Sequence, residues 1–125
     1  MRGKHRHMAF FAALASVPLV IVAVVAGLAK LRGSEKVSTE LARLGVPQAR
    51  IRLVGIVDLV GALGLIAGVF VPVIGALAAL GWLAYWITAI VLHRKAGDPY
   101  EGLGGPLVFA LLSAIVLGLQ LLQFA

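Results

Sequence analysis

The stretch Arg52-Leu-Val-Gly-Ile-Val-Asp58-Leu-Val-Gly-Ala-Leu-Gly-Leu-Ile-Ala-Gly68 decides how this chain is read. It belongs to an apolar run long enough to cross a bilayer, since about 20 apolar residues in helical form span the hydrocarbon core. Asp58 is the only carboxylate inside any of four such runs. An acid at that depth costs on the order of 2.5–3.5 kcal/mol on insertion scales unless something pairs with it. The question of function is therefore largely the question of what Asp58 faces.

The rest of the composition agrees with a lipid environment. The chain has 125 residues, one domain's worth, of which 62% are hydrophobic and 13% charged, with a mean hydropathy of +1.06. A soluble domain is nearer half apolar and a quarter charged. Cysteine is absent, which removes disulfides, thiolate metal sites and cysteine nucleophiles. The net charge of +6 flanks the apolar runs and forms no basic stripe with interleaved aromatics. It reads as an orientation and headgroup signal, with the lipid bilayer and not nucleic acid as partner.

Four spans are predicted, at residues 9–29, 51–70, 73–92 and 106–124, and the fold class is an all-α, four-helix transmembrane bundle. Only helices satisfy their own backbone groups over so short a crossing. Val71-Pro72 reads as a tight turn, because proline lacks an N–H and disfavours helix in the residue before it. Gly104-Gly105-Pro106 opens the last helix. The basic Arg2, Lys4 and Arg6 resemble the start of a signal peptide. The apolar run behind them is longer than the usual ~7–15 residues, so the first run is read as a retained anchor. Between the first two spans, Val37, Leu41 and Leu44 recur at helical spacing behind Ser34, a residue type suited to an N-cap. Lys36 and Glu40 stand four apart as a helical ion pair. Gly45 and Pro47 form a stop signal. This predicts a short amphipathic interfacial helix, 34–44.

With up-and-down connectivity, the polar residues collect at one membrane face. Of the eleven Lys and Arg, three lie in the N-terminal tail and eight lie in the loops of the opposite side. The loop majority and the basic N-terminus give conflicting orientation signals. Side chains lean toward a helix's N-terminus. Asp58, about 9 Å below Arg52 at ~1.5 Å per residue, therefore leans up toward the polar face, while Lys30 and His93 lean down from it. Lys30, Asp58 and His93 are the candidate ligand-binding or proton-carrying residues. Arg52, Trp82, Trp86 and Asp98 are candidate lining residues of a polar pocket. Each has a plain structural reading as well: an interhelical ion pair for Asp58, a snorkelling anchor for Lys30, core or interfacial packing for the tryptophans. No metal set stands out, and no catalytic residue is identified. Ser16 and Ser113 are expected to bond to their own helix backbones.

Five segments in consistent order resemble the DoxX-like family of small four-helix membrane proteins: Gly27-Leu-Ala-Lys30-Leu31, Leu41-Ala-Arg-Leu-Gly45-Val-Pro47, the stretch from Arg52 to Gly68, Gly75-Ala-Leu-Ala-Ala-Leu-Gly81, and Ala89-Ile-Val-Leu-His93-Arg-Lys-Ala-Gly97-Asp98. Asp58 stands where the family more usually has Glu. The resemblance implies one domain over residues 1–125 in the cell membrane, crossing it several times. It also implies a role beside a quinone-linked or oxidative-stress redox process, with a quinone or lipid as the bound molecule. Alternatively, it implies a scaffold or chaperone that assembles membrane proteins. A membrane-protein partner or a homo-oligomer fits either role.

Overall fold

The computed structural model describes residues 2–123, with side chains from Arg6 onward. Phe124, the predicted end of the fourth span, and the side chains of Arg2, Lys4 and His5 lie outside the described residues. The chain is all-helical: α1 (Arg2–Leu31), α2 (Glu35–Arg43), α3 (Gln48–Ala67), α4 (Pro72–Lys95) and α5 (Gly104–Leu122), with a 3₁₀ turn at Tyr100–Gly102. Three of these helices are long and apolar enough to cross a membrane: α1 from Arg6 to Leu31, α4 and α5. α3 has 20 residues and is long enough too, but it carries Arg50, Arg52 and Asp58.

The helix ends follow local chemistry. Gly33, Gly45 and Gly97 take φ of 71°, 91° and 94° behind α1, α2 and α4. At each, the glycine N–H reaches back three residues and the next N–H reaches back five, as in Asp98 N to His93 O at 3.0 Å. That arrangement satisfies the last carbonyls of a helix and needs a residue free of a Cβ in the left-handed region. Pro72 sits in the first turn of α4 behind an extended Val71, which makes the α3–α4 connection the tight turn its sequence predicts. Ser34 holds the N-cap position of α2, yet its side chain makes no cap bond.

α1 packs against α3 and α5, and α4 against α5 and, less extensively, α3. The buried core is small-grained: Leu19, Ala23, Ala62, Leu65, Ala79, Trp82 and Val116. Large apolar side chains instead point outward on all four long helices, among them Phe10, Ile21, Leu53, Val60, Leu63, Leu77, Leu80 and Leu111. A water-soluble monomer rarely exposes such continuous apolar surface.

Glycines set how closely the helices meet. A Cβ on Gly55 would lie 2.9 Å from Lys30 Cβ and 3.0 Å from Gly27 O, so α1 and α3 touch through their backbones there. A Cβ on Gly61 would strike the Trp82 indole. At the other end, Gly68 of the α3–α4 turn rests on the Gly75 backbone. The buried Gln120 of α5 donates from Nε2 to Gly68 O at 3.2 Å and accepts from Gln123 Nε2 at 2.5 Å.

Candidate functional site

Among the described residues, charged side chains form two separate clusters. In the first, Lys30 Nζ of α1 donates to Asp58 Oδ2 of α3 at 2.5 Å and to Tyr85 Oη of α4 at 2.9 Å. Three helices thus meet on one ammonium. The Lys30 and Asp58 side chains are 6% and 1% exposed. The Gly27–Gly55 contact makes this geometry available. It brings the last turn of α1 against α3 one turn before Asp58, and a larger residue at 55 would push Lys30 away. Asp58 Oδ1 is buried with no hydrogen-bond partner, and so are the indole nitrogens of Trp82 and Trp86.

An aromatic ladder continues from this cluster. Tyr85 meets Trp82 edge-on at 4.8 Å between centroids. Trp82 stacks toward Trp86 at 6.2 Å, and Trp86 on Phe109 of α5 at 5.1 Å. Between α3 and α4 lies an open cleft of about 290 Å³, walled by residues that include Ile56, Val60, Gly61, Gly81, Trp82 and Tyr85. A second cleft of about 360 Å³ lies between α1 and α3 around Ser16, Leu65 and Phe70. Both walls are apolar. Neither includes Lys30 or Asp58, so the ion pair lies behind the first cleft, with Tyr85 belonging to both.

The second cluster joins α2 to the end of α4. Arg43 donates to both carboxylate oxygens of Asp98, at 3.0 and 2.8 Å, and to Glu40 at 2.6 Å. His93 Nδ1 lies 2.7 Å from Asp98 Oδ2. Arg94 bonds to the Asp98 carbonyl at 3.0 Å and lies over the Tyr100 ring. His93 is therefore held by Asp98 and makes no hydrogen bond to Lys30 or Asp58. Glu40 pairs with Arg43 and not with Lys36, and the planar Arg43 guanidinium bridges Glu40 and Asp98. Glu40, His93 and Asp98 bring ligand-type atoms within 4.8 Å of one another, but the Arg43 guanidinium already binds both carboxylates.

Arg43 and His93 hold the Asp98 carboxyl at about 2, below its ordinary 3.8. Arg43 likewise lowers Glu40. A depressed carboxyl stabilises the fold above its unfolded pKa and loses that contribution as pH falls through the folded one. The tether from α2 to α4 should therefore hold at neutral pH and release between pH 3.8 and about 2. The Asp98 carboxyl carbon, followed by NMR, should titrate near the lower value. A midpoint near the ordinary value would mean that the bridge does not form in solution.

Of the other predicted residues, Arg52 is exposed, Trp82 is buried in the cleft wall and Trp86 is half-buried on Phe109. Ser16 and Ser113 bond back to Ala12 O and Phe109 O. Sequence reasoning missed Tyr85, Arg43 and Gln120. Tyr85 stands three residues after Trp82, with the only hydroxyl-tipped ring in α4, and Gln120 is the one amide inside α5. Those were the available signals. Arg43 has none, since it looks like any basic residue ending an amphipathic helix.

Searches of curated proteins and of solved structures return no match. The sequence profile of the DoxX-like family matches residues 9–116, nearly the whole described chain and both polar clusters. With its long apolar helices and its lipid-like outer surface, the chain belongs to the DoxX-like family.

Proposed function

We propose that the chain is a multi-pass protein of the cell membrane: a single domain over residues 1–125 in which α1, α3, α4 and α5 cross as a four-helix bundle and α2 lies at the interface. What supports α3 as the fourth crossing is its surface. Leu53, Ile56, Val57, Val60, Leu63 and Ile66 face outward, while its one mid-helix charge is turned inward onto Lys30. α2 presents half-buried Val37, Leu41 and Leu44 and exposes Glu35, Lys36, Glu40 and Arg43, the division an interfacial helix needs.

Within that frame the protein binds an amphipathic molecule, a lipid or a quinone, and acts as an accessory to a membrane redox process. The observation that carries this reading is the buried Lys30–Asp58–Tyr85 cluster beside an open cleft. An intramembrane ion pair is costly to assemble and marks ligand or proton sites in membrane proteins. Lys30 and Asp58 would hold the head group or relay its proton. His93, paired with Asp98, would serve the aqueous side. The chain has no cysteine and no recognisable redox motif of its own, so electrons would travel on the bound molecule or a partner.

Native mass spectrometry from mild detergent tests this. The wild-type chain should retain an amphiphile, and a folded K30M/D58L double variant should lose it. Equal retention by both would remove the cluster from the site. A second reading, an assembly scaffold, is favoured by the Gly27–Gly55 contact, which makes the ion pair a clamp between α1 and α3. That reading expects the double variant to keep its partner proteins.

A further inference from the structure

We propose that the loop face of the bundle selects anionic phospholipid over zwitterionic lipid, through exposed cations that stand at the rim of its lipid-facing surface. The proposal rests on the membrane crossing argued above and not on the buried Lys30–Asp58 cluster.

Eight of the eleven Lys and Arg stand at this face, and three of them are engaged within the fold. Lys30 is buried on Asp58. Arg43 takes both Glu40 and Asp98, which turns Glu40 away from Lys36. Arg94 is bound to the Asp98 carbonyl and lies over the Tyr100 ring. Arg32, Lys36, Arg50, Arg52 and Lys95 are all exposed, and among the described residues none of them forms an ion pair. Glu35 and Glu101 are the acids left to offset them. Two of these cations also work against their own helices. Lys36 and Arg50 stand in the first turns of α2 and α3, where the helix dipole disfavours positive charge. An external anion offsets that cost.

Position identifies the anion as lipid. Arg32 stands one turn beyond Leu28, its N–H on the Leu28 carbonyl at 2.9 Å. Arg52 precedes Ile56 and Lys95 follows Val91 by the same spacing. Residues four apart share a helix face, and Leu28, Ile56 and Val91 are exposed on the apolar outer surface. Each of the three cations therefore ends a lipid-facing stripe. A Lys or Arg so placed lays its stem along apolar surface and lifts its charged head to the level of the phosphates. A soluble acidic partner, arriving from water, meets the loops before the rims of three helices. Head-group charge then decides between lipids. Phosphatidylcholine cancels its phosphate with its own ammonium. Phosphatidylglycerol leaves the phosphate charge open, and each Lys or Arg near an anionic surface is worth roughly a fivefold preference.

Native mass spectrometry of the protein in an uncharged detergent measures this preference. The chain is titrated with phosphatidylglycerol and, separately, with phosphatidylcholine of the same acyl chains. Phosphatidylglycerol should bind at least about tenfold more tightly, and the margin should shrink as ammonium acetate is raised, because salt screens exposed charges. R32Q/R52Q/K95Q removes three exposed charges and leaves the core untouched. It should weaken phosphatidylglycerol by at least about tenfold and leave phosphatidylcholine unchanged. R32K/R52K should keep the preference, since charge and not guanidinium geometry sets it. K30M/D58L, which lacks the buried cluster, should keep it too. Equal binding of the two lipids by the wild type overturns the proposal, and so gives the free cations to an acidic soluble partner. A preference that survives R32Q/R52Q/K95Q in the folded protein, or that K30M/D58L abolishes, puts the anion elsewhere and overturns it as well. Binding of neither lipid by the folded chain would overturn the membrane crossing together with it.

Discussion

Asp58→Asn should destabilise the protein by about 3–5 kcal/mol, the cost of leaving one partner of a buried ion pair uncompensated. Lys30 would keep its ammonium in a site where its side chain is 6% exposed, with an amide in place of the charge that balanced it. Lys30→Met should cost a comparable amount, because Asp58 would lose its cation and Tyr85 its bond to Lys30 Nζ. The double variant K30M/D58L should recover most of that loss. Replacing both members of a buried pair by apolar residues of similar volume is often neutral or stabilising. Thermal unfolding of the four proteins in one mild detergent gives the cycle, and a coupling of several kcal/mol is the expected result. If the single variants unfold like the wild type, the pair is not formed in the membrane protein. The double variant is also the form in which function can be examined apart from folding.

The second large effect is expected at the opposite end of α3. Gly68→Ala places a methyl group onto the Cα of Gly75 and 2.8 Å from its amide nitrogen. No rotamer relieves a clash with backbone, so the α3–α4 turn must open. Doing so also strains the bond from Gln120 to the Gly68 carbonyl. Overpacking of this kind costs about 1–3 kcal/mol, and a backbone clash beside a buried amide belongs at the upper end. Gly81→Ala is the matched control. A Cβ at that position meets nothing, and alanine is favoured over glycine inside a helix by roughly 0.5–1 kcal/mol. The same detergent unfolding assay should show a large drop for the first variant and no drop for the second. Equal effects would mean that glycine at 68 serves helix propensity alone.

These two sites show what the sequence makes legible and what it hides. The helices were readable because their length, apolarity and proline or glycine punctuation act locally. Asp58 was readable because a lone acid in an apolar run is costly wherever it faces. Lys30 followed from side-chain lean, a property of every helix. His93 leans the same way, yet the Gly97 turn folds Asp98 back onto it, and a five-residue pairing through a left-handed glycine is invisible to helical periodicity. Tyr85 was hidden by its neighbours. Between two tryptophans it reads as part of an aromatic belt, and only the rotation of α4 reveals that its hydroxyl meets Lys30. Arg43 and Gln120 act across the fold on Asp98 and Gly68, contacts that depend on tertiary placement alone. The predicted polar pocket divided for a related reason: charge was assigned by depth, but helix rotation put the charged pair behind an apolar wall.

In the proposed four-helix bundle, the pairing of Lys30 with Asp58 also determines how the site meets the electrical state of the membrane. A single charge carried through a potential of 100 mV exchanges about 2.3 kcal/mol with the field. Lys30 Nζ and Asp58 Oδ2 stand 2.5 Å apart, so their charges sit at nearly one depth and cancel. That cancellation holds whichever of the two carries the shared proton. Energising the membrane therefore exerts almost no net pull on the cluster. Voltage would act there only on a proton or charge that enters from outside the pair.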